Sequence, residues 1–176
     1  MTAEALTSKT MSPPALASGL VCLAALAAVT TALGFEHIGG YAPCPLCLQE
    51  RWAYYFAVPT GLAAFLLARA GHMRAAGALL VLCALGFLIN TGLGVYHAGA
   101  EWKWWPGPAS CGAGAGVTTG AGGMLDALNQ TRVIRCDEAP WRLFGLSFAG
   151  YNAVISLGLA GVAAFGVCSR VGRQER

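Results

Sequence analysis

Four of the seven cysteines lie in segments between long apolar stretches, where they could carry out thiol–disulfide chemistry. Cys44 and Cys47 form a Cys-x-x-Cys motif, and Cys111 and Cys136 follow in a later segment. A Cys-x-x-Cys pair can be a redox dithiol or one half of a zinc site. The other three cysteines lie inside apolar stretches, where a free cysteine usually behaves as a small hydrophobic residue. They are Cys22, Cys83 and Cys168.

The residues around the Cys-x-x-Cys motif favour redox chemistry. Pro45 suits the first position of a helix, which makes Cys44 the predicted N-cap. Cys47 then lies in the first turn, where backbone N–H groups and the helix dipole stabilise a thiolate. Arg51 follows four residues later on the same face, where its charge should lower the pKa of Cys47 and hold an anionic ligand. The alternative for Arg51 is an anchor that reaches the membrane surface from the end of a span.

Cys111 lies in a stretch rich in glycine and proline, and Cys136 follows it after 24 intervening residues. A loop of this kind suits delivery of a disulfide to a partner protein. A short helix on the membrane surface is predicted over Met124–Ile134. Two alternatives stay open: a static disulfide that only closes the loop, and a zinc ion bound by all four cysteines. The zinc site is less favoured because Cys111 and Cys136 are not a close pair in the sequence.

Membrane helices are the elements that must position these cysteines. Hydrophobic residues make up 56% of the 176 residues and charged residues only 11%, whereas a soluble domain carries about 25% charge. Four apolar stretches approach the roughly 20 residues that cross a bilayer. The predicted fold is an all-α, four-transmembrane-helix bundle in one domain. Its spans cover 15–35, 52–70, 75–96 and 145–168, and its outer loops cover 36–51 and 97–144.

The predicted spans contain a proline and two polar residues, which are unusual in apolar helices. Pro59 is tolerable within a membrane helix, since a neighbouring helix can satisfy the freed carbonyl. Asn90 and Thr91 are expected to form hydrogen bonds between helices. The first span could instead be a signal peptide preceded by Lys9, but its uncharged run exceeds the usual length of such a segment.

The basic residues predict the orientation of the bundle. Four spans place both termini on one side, and six of the eleven basic residues lie near span ends on that side. They are Lys9, Arg69, Arg74, Arg170, Arg173 and Arg176. The positive-inside rule therefore makes both termini cytoplasmic and places the four loop cysteines outside. Disulfides form and persist in that compartment.

Taken together, these motifs resemble the disulfide bond formation protein B (DsbB) family of bacterial inner membranes. The resemblance covers most of the chain. It lies in Cys44-Pro-Leu-Cys47 followed by Glu50-Arg51, in His97 before a Trp/Pro stretch leading to Cys111, and in Cys136 before Trp141-Arg-Leu-Phe-Gly-Leu-Ser147. Each piece alone is weak, but the combination is specific.

The resemblance implies a role for each of these residues. Cys111 would form a mixed disulfide with a periplasmic DsbA-like protein of the thioredoxin fold, and Cys136 would be its partner and pair transiently with Cys44. Cys47 would be the thiolate that meets a membrane quinone, a ubiquinone or a menaquinone, with Arg51 contacting the ring. His97 is similar to a family histidine near the quinone pocket, and its alternative is a plain interfacial histidine. The implied activity is the quinone-dependent reoxidation of the partner, which sustains disulfide formation. No metal or flavin motif is present, and no metal is expected.

Three other readings are weighed against this one. A vitamin K epoxide reductase-like enzyme would place its quinone-reactive Cys-x-x-Cys after the loop cysteines, and here it precedes them. A DsbB-like paralogue could serve one dedicated partner, which the motifs do not exclude. A non-enzymatic, metal-binding membrane protein is the third, and zinc that remains after purification would favour it.

Overall fold

The protein is a helical bundle whose long helices run in sequence order. The structure, a computed structural model, describes residues 11–108, 111 and 135–174, the last five as backbone only. Helix α1 covers Pro13–His37, α2 covers Pro45–Arg69 and α3 covers Met73–Glu101. After a hairpin of two short strands, β1 (Arg142–Leu143) and β2 (Leu146–Ser147), helix α4 covers Phe148–Gln174. The predicted surface helix at Met124–Ile134 lies outside the described residues.

Three of these helices are long and apolar enough to cross a membrane. They are α1, α3 and the Phe148–Ser169 part of α4. Helix α2 is as long as α1, at 25 residues, but it does not meet the same criterion of length and hydropathy. It begins earlier than the predicted span and includes the polar residues Gln49, Glu50 and Arg51. The crossing by α2 therefore stays a prediction.

The helix ends differ from the predicted spans at two places that affect the cysteine loops. Helix α3 does not end at residue 96 but continues to Glu101, so His97 lies on a helix and not in the loop. The fourth helix begins at 148 and not at 145, because residues 142–147 pair as the antiparallel β1–β2 hairpin. Phe144 and Gly145 form its turn with φ of 50° and 83°. An aromatic residue rarely adopts that left-handed conformation, so the sequence offered little sign of a turn there.

Small residues bring the helices close together. Gly61 of α2 lies against the backbone of Cys22 on α1, and an added Cβ would be 3.2 Å from the Cys22 nitrogen. Gly94 of α3 meets Ala153 of α4 in the same way, at 3.0 Å from its nitrogen. Close backbone approach at small residues is the usual packing of membrane helices, where burial of apolar side chains gives no gain over lipid. Helix α2 also runs on through Pro59, as expected.

A buried polar network links α2, α3 and α4. Asn90 donates from Nδ2 to Asn152 Oδ1 (3.0 Å) and Ser156 Oγ (2.9 Å), and the Tyr54 hydroxyl donates to Asn152 Oδ1 (2.7 Å). The prediction for Asn90 is thus confirmed. That for Thr91 is wrong, because its hydroxyl bonds to the Phe87 carbonyl within α3. The network fixes the three helices in register just beneath the cysteines.

Candidate redox site

The site begins at the N-terminus of α2. Cys44 has an extended backbone (φ −77°, ψ 166°) and is the N-cap, with Pro45 in the first helical position, as predicted. The Cys44 sulfur accepts a hydrogen bond from the backbone N–H of Cys47 (N–Sγ 3.2 Å). The Cys44 and Cys47 sulfurs lie 2.9 Å apart as a hydrogen-bonded pair of unbridged thiols. The cap therefore holds the two sulfurs of the motif together.

All four loop cysteines meet in one cluster. Cys111 and Cys136 are joined by a disulfide, and both are buried together with Cys44 against Leu46. Cys47 packs on the edge of this cluster. Since the sulfurs of Cys111 and Cys136 are bonded to each other, they cannot be ligands of the four-cysteine zinc site considered from the sequence. The cluster instead places a disulfide beside a dithiol.

Lys103, just after the end of α3, forms an ion pair with the segment that carries Cys136. Lys103 Nζ lies 2.6 Å from Asp137 Oδ2, and Arg135 Nη2 lies 2.9 Å from the same oxygen. Lys103 also donates to the Asp137 carbonyl at 2.8 Å. Exposed pairs of this kind contribute little to stability, but these involve the residues on either side of Cys136.

An imidazole and two carboxylates lie on the α3 side of Cys44. His97 Nε2 is 3.6 Å from the Cys44 sulfur, and His97 Nδ1 is 2.8 Å from Glu50 Oε1 on α2. Glu101, one turn after His97, has Oε1 at 3.9 Å from Nε2, while its other carboxylate oxygen accepts a hydrogen bond from Ser147. The exposed fractions are 2% for His97, 6% for Glu50 and 7% for Glu101. Ionisable groups buried to this extent occur mainly where they are paired, and often at functional sites.

The two sulfurs of the motif have opposite acidities. The hydrogen bond with Cys47, followed by the nearby His97, outweighs burial and lowers the pKa of Cys44 to about 4. The hydrogen bond to Cys44, together with burial, raises the pKa of Cys47. Burial also raises the pKa of Glu50. The sequence predicts a lowered pKa for Cys47, whereas in the dithiol of the structure the hydrogen bonds from Cys47 and from the imidazole lower the pKa of Cys44.

A cavity of about 550 Å³ opens on the other side of the motif, between α1, α2 and α4. Its walls are largely apolar, with alanines of α1, Phe35, Trp141 and Ile155 among the lining residues, and Cys47, Glu50 and Arg51 lie at one end. Phe35, Trp141 and Phe148 pack their rings together beside it, with centroids 4.9–5.9 Å apart. The cavity therefore offers an apolar space that Cys47 lines.

Arg51 lines this cavity but its charge is paired. Its Nη1 lies 2.5 Å from Glu36 Oε2 at the end of α1, with the two side chains 13% and 24% exposed. The guanidinium is therefore engaged by Glu36, where the sequence led us to expect an effect on the Cys47 thiol. His97 is not among the residues that line the cavity in the described part of the chain.

The model of the "Disulfide bond formation protein DsbB" family matches residues 14–166. The chain belongs to the DsbB family. It is 32% identical to Disulfide bond formation protein B of Marinobacter nauticus, over 77% of this chain and 81% of that protein. It is 31% identical to the protein of the same name from Verminephrobacter eiseniae (84% and 85% covered) and 27% identical to that of Polaromonas naphthalenivorans (89% and 92%). No solved structure matches it significantly.

Membership of the DsbB family makes this chain a membrane protein of disulfide bond formation, as the sequence predicted. The structure brings the four predicted cysteines together and places Arg51 at the cavity and His97 against Cys44. Sequence reasoning did not assign roles to Glu36, Glu50 or Glu101. A signal was present for two of them, since Glu50 adjoins Arg51 at the start of a helix and Glu101 follows His97 by four residues.

Proposed function

We propose that the protein reoxidises a periplasmic dithiol protein of the thioredoxin fold and passes the electrons to a membrane quinone. The observation that carries this proposal is the position of the Cys44–Cys47 pair between two partners. On one side lies the Cys111–Cys136 disulfide, and on the other an apolar cavity that Cys47 lines. A sulfur pair in this position can receive electrons from a protein disulfide relay and deliver them to a molecule dissolved in the lipid.

The relay starts from the fully oxidised protein, in which both the Cys111–Cys136 pair and the Cys44–Cys47 pair are disulfides. Its first step takes place at the Cys111–Cys136 disulfide. A thiolate of the reduced partner attacks Cys111, the Cys111–Cys136 bond breaks, and Cys136 leaves as a thiolate. Cys136 then attacks Cys44, and Cys47 leaves with the electron pair of the broken bond. The second thiol of the partner attacks its own sulfur in the mixed disulfide, so the partner departs oxidised and Cys111 is released.

The relay is completed by attack of Cys111 on Cys136, which restores the loop disulfide and expels Cys44. Thiol–disulfide exchange is faster when the leaving thiol has a low pKa. Cys44, with a pKa lowered to about 4 by Cys47 and His97, is well suited to that step. The product is the arrangement in the structure, with Cys111 and Cys136 bonded and the Cys44–Cys47 pair reduced.

The dithiol must then lose two electrons and its thiol protons. A bound quinone would accept both. The residues fit such a group, because Cys47 and Arg51 lie at one end of an apolar cavity large enough for a substituted ring. The hydrogen bond to Cys44 and burial raise the pKa of Cys47, so Cys47 must lose its proton as its sulfur reacts with the acceptor. Glu50, on the cavity wall and hydrogen-bonded to His97, is placed to hold a proton between the sulfurs and the cavity.

The proposed location is the bacterial inner membrane with the cysteines in the periplasm and both termini in the cytoplasm. Three helices of spanning length and the DsbB family support a membrane location. The basic flanks of the spans support the orientation. A reduced partner dithiol is available only where disulfides are being made, and this side of the membrane is where they persist.

The test is oxidation of a reduced thioredoxin-fold protein by the purified protein in detergent, with and without added quinone. We expect catalytic oxidation only with quinone, and none for Cys47→Ser. Cys168→Ser serves as the control, because Cys168 is exposed and lies far along α4 from the cluster. Multiple turnovers without any quinone, or full activity of Cys47→Ser, would refute the proposal.

A further inference from the structure

We propose that the reduced Cys44–Cys47 pair and His97 form a binding site for one Zn²⁺ ion, which locks the dithiol and blocks its oxidation. The Sγ atoms of Cys44 and Cys47 and a ring nitrogen of His97 all lie within 4.8 Å of one another. Two thiolates and an imidazole are ligands that Zn²⁺ prefers. The binding site rests on this geometry alone, and its inhibitory effect rests on the proposed function.

The distance between the Cys44 sulfur and His97 fits a tetrahedral zinc ion, whereas the distance between the two sulfurs must increase. In a tetrahedral site, Zn–S bonds of about 2.3 Å and Zn–N bonds of about 2.0–2.1 Å place a sulfur ligand and a nitrogen ligand roughly 3.6 Å apart. The Cys44 sulfur and His97 Nε2 are 3.6 Å apart in the structure. Two sulfurs on the same ion would lie about 3.8 Å apart, so the present 2.9 Å separation of Cys44 and Cys47 must widen. A small rotation of the half-buried Cys47 side chain in the first turn of α2 provides that change.

The surroundings of His97 are those of a metal-bound histidine. A ligating histidine commonly donates its other ring N–H to a carboxylate, which fixes the ring and makes it a better ligand. Glu50 Oε1 lies 2.8 Å from Nδ1 and leaves Nε2 facing the Cys44 sulfur. Glu101 Oε1 lies 3.9 Å from Nε2 but is outside the group of ligand atoms that are all within 4.8 Å of one another. The fourth position of a tetrahedral ion would therefore be taken by a water molecule.

This site differs from the four-cysteine zinc site in its ligands and in its redox dependence. It uses neither Cys111 nor Cys136, which are joined to each other. It exists only while Cys44 and Cys47 are reduced, because a disulfide offers no thiolate. Binding displaces the remaining thiol protons to solvent, and the bound sulfurs can no longer form a disulfide. Zinc should therefore accumulate on the protein when the electron acceptor is scarce and the dithiol persists.

The experiment measures zinc binding without partner or quinone. The Cys111→Ser/Cys136→Ser protein, and wild type beside it, are purified in mild detergent, reduced, freed of reductant without air and titrated with Zn²⁺ against a chromophoric chelator. We expect one tight site per chain in both reduced proteins and its loss when Cys44 and Cys47 are oxidised. Co²⁺ in place of Zn²⁺ should give thiolate-to-metal absorption bands typical of a tetrahedral site.

Variants separate this site from adventitious binding. Glu50→Gln should weaken Zn²⁺ binding about 10- to 100-fold, the usual effect of losing a carboxylate behind a ligating histidine, and His97→Ala should weaken it more. Glu36→Gln, which removes a carboxylate of α1 that does not contact His97, is the matched control. The proposal is overturned if the oxidised pair binds zinc equally well, if His97→Ala and Glu50→Gln bind as wild type does, or if binding requires Cys111 and Cys136. A protein that binds zinc as expected but never oxidises a partner would refute only the proposed function.

Discussion

The ion pair between Arg51 and Glu36 allows the clearest test of whether the apolar cavity binds the electron acceptor. The two groups lie on different helices, α2 and α1, with Nη1 and Oε2 2.5 Å apart. The proposed function assigns the guanidinium to the acceptor, whereas a purely structural pair would only tie the helices together. Arg51→Gln and Glu36→Gln break the same contact, but only the first removes the positive charge. The two variants should therefore differ in their dependence on quinone concentration.

The size of each effect follows from the burial of the pair. Exposed ion pairs contribute about 0.2–1 kcal/mol, while removing one partner of a buried pair costs about 3–5 kcal/mol. The side chains here are 13% and 24% exposed, so we expect a coupling free energy of about 1–2 kcal/mol in a double-mutant cycle. Loss of a hydrogen bond from a charged donor costs about 1.5–3 kcal/mol. Arg51→Gln should therefore raise the KM for quinone roughly tenfold to a hundredfold.

The assay is steady-state oxidation of the reduced partner against quinone concentration, with denaturant unfolding of each purified variant alongside. Glu36→Gln leaves the guanidinium free, so its KM for quinone should stay the same or fall although the protein loses stability. Arg51→Lys keeps the charge without the planar fork and should be intermediate. A KM unchanged in Arg51→Gln, or raised equally in both variants, would show that the pair only joins two helices.

Three further predictions test the topology, the relay and the packing. A membrane-impermeant thiol reagent applied to intact, reduced cells should label the loop cysteines and spare Cys168, whose strong labelling would invert the orientation. Cys136→Ser should trap a mixed disulfide with the partner through Cys111, detectable on a non-reducing gel, and a complex that forms through another cysteine would reverse the assigned direction. Gly166→Ala should destabilise the bundle by about 1–3 kcal/mol, because its Cβ would lie 2.6 Å from the Cβ of a neighbouring alanine on α1. Gly86→Ala, with no atom within 4 Å of its added Cβ, is the matched control and should unfold like wild type.

Local features of the site could be predicted because they depend on a few consecutive residues. Pro45 after Cys44 predicts a helix start with the cysteine as its cap, and the structure has that cap. Asn90 in an apolar span predicts a bond to another helix, because lipid offers it no partner. Thr91 does not follow the same argument, since a threonine can bond to a carbonyl of its own helix.

Contacts between helices could not be predicted, and they decide the charges of the site. Arg51 has the right spacing to act on Cys47, but its guanidinium is paired with the carboxylate of Glu36. Glu36 lies 15 residues earlier, on another helix. The family resemblance implies that His97 lies near the quinone pocket, but it does not reveal that α3 continues through His97 and that its ring contacts Cys44 and Glu50. Spacing along one helix shows which residues share a face. It does not show which neighbouring helix that face meets.

The packing of α3 on α2 makes the two sulfurs of one motif chemically different. Cys44 faces the imidazole and the loop disulfide, whereas Cys47 faces the apolar cavity. A relay needs this difference, because one sulfur must exchange with a protein disulfide and leave readily while the other must meet a lipid-soluble acceptor. The same arrangement brings two sulfurs and a carboxylate-bound imidazole within reach of one ion. The features that the proposed relay uses are therefore also those of the proposed zinc site, and the two proposals together require turnover to oxidise the pair faster than zinc binds it.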